Sequence, residues 1–192
     1  MEALKSGDRE VFARLVDETS GHIFRVAYQI LGNDQDAEDA LQETYIKAFR
    51  GLPDFGGRSS LTTWLYRIGV NEALMLIRKR NPQAVSVDES NTFDVEAESE
   101  GMEIVDFCCL PEGELLSKES QKVLDQAVQN LPINLRVVFI MRDLEGLSIQ
   151  ETAEALNLSE NNIKVRLLRA RLSLRQELSL YFGGKMQEEY RR

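Results

Sequence analysis

The chain has 192 residues, 43% of them hydrophobic, and a formal net charge of −9. That length buries one or two modest cores. No apolar run approaches the roughly 20 residues that span a bilayer and no secretory leader pattern opens the sequence, so a cytoplasmic protein without membrane insertion is expected.

The charge is unevenly divided. Residues 1–81 carry 11 basic and 12 acidic side chains, residues 82–117 carry none and 10, and residues 118–192 carry 12 and 10. The excess acid therefore sits in one central segment. Screening over about 8 Å leaves a separated basic surface functional, although the acid should weaken binding to free DNA. The cysteines, Cys108 and Cys109, are adjacent and poorly placed to bridge each other. With His22 the single histidine, a His/Cys metal site has no support, and no cofactor is expected.

In chain order, Asp8 caps a helix whose apolar positions run from Val11 to Ile30 before Gly32 stops it. A second helix spans about 34–50, closed by Gly51 and Pro53, and carries Asp36, Glu38, Asp39, Gln42 and Glu43 in its first half. Acids there complement the helix dipole; they also suit docking of a basic partner. After a turn-rich loop, Ser60 caps a third helix to about Arg80. Trp64, Arg67, Asn71 and Arg78 share one side of it, with Tyr66 adjacent. Aromatics beside cations suit unstacked DNA bases, and Trp64 equally suits a core.

Residues 82–117 read as an acidic linker, with a more apolar stretch at 102–110 that suits docking or a short covering helix. Helical patterning returns at Lys118, with helices over 120–130 and 132–143. Then comes a helix-turn-helix: Ser148 and Glu151 form a capping box, Asn157 ends the first helix, and Ser159 caps the second. Ile163, Leu167, Ala170 and Leu174 face inward, leaving Asn161, Lys164, Val165, Leu168 and Arg169 toward a major groove. Residues 161–175 hold five cations and no acid. If all five met phosphates, the salt slope would be about −4 to −5.

These strings, 36–73 and 131–171, resemble a bacterial sigma factor of the extracytoplasmic-function (ECF) group, matching its regions 2 and 4 in order. The resemblance implies an all-α chain of two small domains: region 2 over 1–81, an acidic linker over 82–117, region 4 over 118–180, and a tail over 181–192. It implies that Asp36, Glu38, Asp39, Gln42, Glu43 and Thr44 dock on the β′ clamp helices of RNA polymerase. The loop from Phe55 through Arg58, Ser59 and Ser60 to Thr63 would capture a −10 base, with Trp64, Tyr66, Arg67 and Asn71 at the melting edge and Arg78 further along the same helix. Arg142, Lys164, Val165, Leu168 and Arg169 would contact −35 DNA, with Ser159, Asn161 and Asn162 near phosphates. The β flap, promoter DNA and an anti-sigma factor are the further partners implied, in a stress or envelope response.

Asn161-Asn162 and Leu168 depart from the family's usual residues, as do the apolar positions Ala73 to Ile77. No nucleophile with a base, paired acids or phosphate-cradling glycine loop is evident, so no enzyme is expected. The other readings are a free-standing helix-turn-helix regulator and a polymerase-docking decoy.

Overall fold

A computed structural model describes residues 7–81 and 118–189, with side chains placed for 7–81 and 121–179. The acidic linker, its apolar stretch and both cysteines lie outside these residues. Every regular element among the described residues is helical. The N-terminal unit comprises α1 (Arg9–Leu31), α2 (Asp34–Gly51) and α3 (Leu61–Arg80). The C-terminal unit comprises α4 (Lys118–Asn130), α5 (Ile133–Phe139), a π-helical turn (Ile140–Leu144), α6 (Ile149–Leu156) and α7 (Glu160–Glu189).

Local chemistry sets the boundaries. The Asp8 carboxylate accepts from the backbone N–H groups of Glu10 and Val11, and Gly32 ends α1 in the left-handed region at φ 76°. Asn33 caps α2 through the N–H of Asp36 at 2.9 Å. Ser60 caps α3 through the N–H of Thr63 at 3.0 Å. Each such cap satisfies an otherwise orphaned donor, worth about 1 kcal/mol. The helix expected over 132–143 starts at Ile133 and passes into the π turn, where the N–H of Glu145 reaches the carbonyl of Ile140. The terminal helix continues to Glu189, through most of the segment read as a tail.

Ile23, Val26, Ile30, Leu65 and Val70 fill the N-terminal core. Here α3 crosses close to its neighbours at Gly69: a Cβ there would sit 3.2 Å from Ile23 Cγ2. Val137, Ile140, Met141, Ala170 and Leu174 pack in the C-terminal unit, and the same continuous apolar cluster includes Ile23, Leu65 and Tyr66. The two units therefore lie against each other, with α6 packed on α3.

Candidate nucleic-acid interface

The helix-turn-helix has the geometry expected of its sequence. Ser148 accepts from the N–H of Glu151 while the Glu151 carboxylate accepts from the N–H of Ser148, at 3.1 and 2.9 Å. Donation from the Ser148 N–H, and secondarily from its hydroxyl, holds the Glu151 carboxyl pKa below its ordinary value. Asn157 adopts φ 54° at the end of α6, and Ser159 accepts from the N–H of Asn162 at the start of α7. Ile163, Leu167, Ala170 and Leu174 are all buried. Asn161, Lys164 and Arg169 are exposed, Asn162 and Val165 half-buried, and Leu168 is 60% exposed. A large apolar side chain held in water beside cations suits contact with a thymine methyl.

The five cations of this segment are not equivalent. Arg171 forks onto Asp143 with two bonds, Nε to Oδ2 at 2.8 Å and Nη2 to Oδ1 at 2.7 Å. Arg166 is half-buried, lining a cleft of about 50 Å³ with Leu74 of α3, and burial lowers its pKa. Arg171 and Arg166 are thus engaged within the protein, and a salt slope that counts all five as phosphate contacts is an upper bound. Arg142 is half-buried in the π turn, its Nε without a hydrogen-bond partner among the described residues.

On the N-terminal unit, Phe55 is 6% exposed. Its ring packs on Trp64 with centroids 5.1 Å apart, so it anchors the loop while Arg58 points to solvent. Ser59 is half-buried, and Ser60 is committed to capping α3. Trp64 is half-buried against Phe55 and Gly51, so it packs on the loop while part of its surface stays exposed. Arg67, Asn71 and Arg78 are exposed along α3.

Tyr66 is different. It is 4% exposed, and its hydroxyl donates to Oε2 of Glu145 in the C-terminal unit at 2.8 Å. Burial and the neighbouring carboxylate both push its pKa up, so it remains a donor.

The acidic helix separates into two roles. Glu38, Asp39, Gln42 and Glu43 are exposed. Asp39 and Glu43 line a cleft of about 260 Å³ with Lys47, Glu72, Met75 and Lys79. Within it Lys47 Nζ donates to both Glu72 oxygens at 2.6 Å. Asp36 and Thr44 are buried. Asp36 pairs with Arg80 and accepts from Asn33 Nδ2 at 2.7 Å, and Thr44 donates to the carbonyl of Ala40 at 2.6 Å. Both hold the helix that displays the other four.

Sequence reasoning missed a cluster around Glu145. His22 Nδ1 lies 3.1 Å from Oε2 and Arg25 Nη1 lies 3.7 Å from Oε1. Its only trace in sequence is the i, i+3 spacing of His22 and Arg25, which places both on one face of α1. Among the described residues no group of three or more His, Cys, Asp or Glu could hold a metal ion, and no helix is long and apolar enough to cross a membrane.

Residues 15–83 match the family described as Sigma-70 region 2, and residues 121–174 that described as Sigma-70, region 4. The chain is 33% identical to the ECF RNA polymerase sigma factor SigW of Bacillus subtilis over 182 residues, 91% of this chain and 92% of that one. It is 31% identical to the ECF RNA polymerase sigma-E factor of Escherichia coli K12 over 173 residues, 89% and 88% of the two. Among solved structures, CnrH in complex with the cytosolic domain of CnrY has TM-score 0.66 and 23% identity, over 93% of this chain and 94% of that one. The sigma factor RpoE in complex with the anti-sigma factor NepR, from Bartonella quintana, gives the same TM-score and identity over 88% and 98%.

Proposed function

This chain belongs to the ECF sigma factors, and from that footing we propose how its surfaces divide the work of a polymerase subunit that selects promoters. The 33% identity to SigW across nine-tenths of the chain supports this reading over a free-standing regulator. Glu38, Asp39, Gln42 and Glu43 dock on the β′ clamp helices, with Asp36 and Thr44 holding that face rigid. The loop led by Arg58, with the exposed part of Trp64 and with Arg67, Asn71 and Arg78, takes up the melting −10 strand. The start of α7 reads the −35 duplex, with Lys164 and Arg169 on phosphates and Leu168 against bases. Region 4 meets the β flap, the protein works in the cytoplasm, and an anti-sigma factor releases it under envelope or other stress.

One observation carries the reading: a single chain displays both an exposed acidic face on α2 and an exposed cationic face on α7. Such a protein works by binding energy. Base contacts in two places, held on one polymerase, multiply effective concentration and favour strand separation. Run-off transcription with bacterial core polymerase on a pool of promoter-like templates tests it. Discrete transcripts that require this protein and vanish with Arg67→Ala or Lys164→Ala are expected. Specific DNA binding without any association with core polymerase would overturn it.

A further inference from the structure

Glu145 presents a carboxylate that is 2% exposed, with three donors from the other unit gathered on it. Tyr66 and His22 meet Oε2, and Arg25 faces Oε1, which has no hydrogen bond of its own. The side chains of His22 and Arg25 are 55% and 56% exposed, so these two form an open rim while Tyr66 and the anion are enclosed. A phenol O–H, an imidazole and a guanidinium converging on one point suit a tetrahedral oxyanion. Tyr66 also lies on the helix that carries Arg67 and Asn71, next to Arg67 in sequence and about 100° round the helix from it.

We propose that His22, Arg25 and Tyr66 form a binding site for a DNA-backbone phosphate, which the Glu145 carboxylate occupies while the two units are closed. The assignment rests on the promoter-binding reading of α3. The two anions exclude each other, so strand capture requires the C-terminal unit to move off. A tethered carboxylate competes at an effective concentration set by the chain, in the millimolar range for short connections. Apparent affinity for DNA falls by the fraction of molecules that are open.

The test uses the full chain without polymerase. Small-angle scattering reports closure, and titration of a fluorescein-labelled single-stranded 20-nucleotide DNA of mixed sequence reports the site. Glu145→Gln keeps the shape of the side chain and removes its charge. It is expected to raise the radius of gyration and tighten DNA binding about tenfold. Tyr66→Phe, which deletes one hydroxyl, should also open the chain. Arg25→Ala separates a phosphate site from a mere latch: it should open the chain without the gain in affinity. Added to Glu145→Gln, it should reverse that gain and reduce the salt slope by about 0.7.

If Glu145→Gln changes neither the radius nor the affinity, the carboxylate does not mask the site. If Arg25→Ala matches Glu145→Gln in tightening DNA binding, the cluster is a latch only, and the phosphate site is overturned. Neither readout depends on promoter-specific transcription, so failure of the sigma-subunit assignment would show separately in the run-off assay.

Discussion

Arg136 Nη1 donates to the carbonyl of Ile30 at 2.9 Å, across 106 residues of sequence. The same guanidinium holds Gln129 Oε1 at 3.0 Å and the carbonyls of Leu131 and Gln129, and Gln129 Nε2 donates to the carbonyl of Gln29. Arg136 and Gln129 thus each satisfy one carbonyl at the C-terminal end of α1, where the helix dipole favours a cation, and Arg136 closes the turn between α4 and α5. Arg136→Ala should lower stability by about 3 kcal/mol, because charge-assisted partners are left buried and unmet. Thermal unfolding measures this, and a change in melting temperature under 2 °C would count against the role.

Gly69 sets how closely α3 approaches α1 and α2, with Ile23 Cγ2 and Thr44 Oγ1 at 3.2 and 3.5 Å from a built Cβ. Gly69→Val should cost about 1–3 kcal/mol through overpacking. The sign is open to a denaturant melt: an unchanged midpoint would mean that the crossing has room to spare.

The capping box of α6 confers an acid sensitivity. Bonds from the Ser148 backbone and hydroxyl lower the folded pKa of Glu151 below its unfolded value near 4.5. Its contribution is therefore fully present above the unfolded value and is lost as pH falls through the folded one. Glu151→Gln should flatten the stability profile below about pH 4.5 and leave a modest deficit at pH 7. Chemical melts across pH 3–7 give the comparison, and parallel profiles would remove Glu151 from the account.

Lys164 and Arg171 should behave oppositely although both are cations of α7. Lys164→Ala should weaken DNA binding similarly across sequences and reduce the salt slope by about 1. Arg171→Ala should leave the slope unchanged and lower stability by up to about 1 kcal/mol, since its fork is spent on Asp143. Equal changes in slope for the two variants would contradict the division of the basic face.

What was legible in the sequence is what neighbouring residues decide. Asp8, Ser60, the Ser148–Glu151 box and Asn157 act within about four positions, so each helix end followed from residue type. The inward stripe from Ile163 to Leu174 followed from period alone. Asp36, Thr44 and Phe55 show the limit. Each lies in a string matching a functional face, yet Asp36 is turned inward by Arg80, 44 residues away, and Phe55 is covered by Trp64. The partners of Glu145 lie 79 to 123 residues from it. Local pattern cannot register such pairs, nor the packing of the two units that brings them together.

The π-helical turn at Ile140–Leu144 joins these distant effects. Asp143 within the turn braces α7 through Arg171, and Glu145 at its end reaches Tyr66 of the other unit. Deleting one residue there would restore α-helical hydrogen bonding and bring Asp143 and Glu145 out of register with their partners. Neither carboxylate would then meet its partner. The angle at which α7 is held and the tie between the two halves are thus set within six consecutive residues, Ile140 to Glu145.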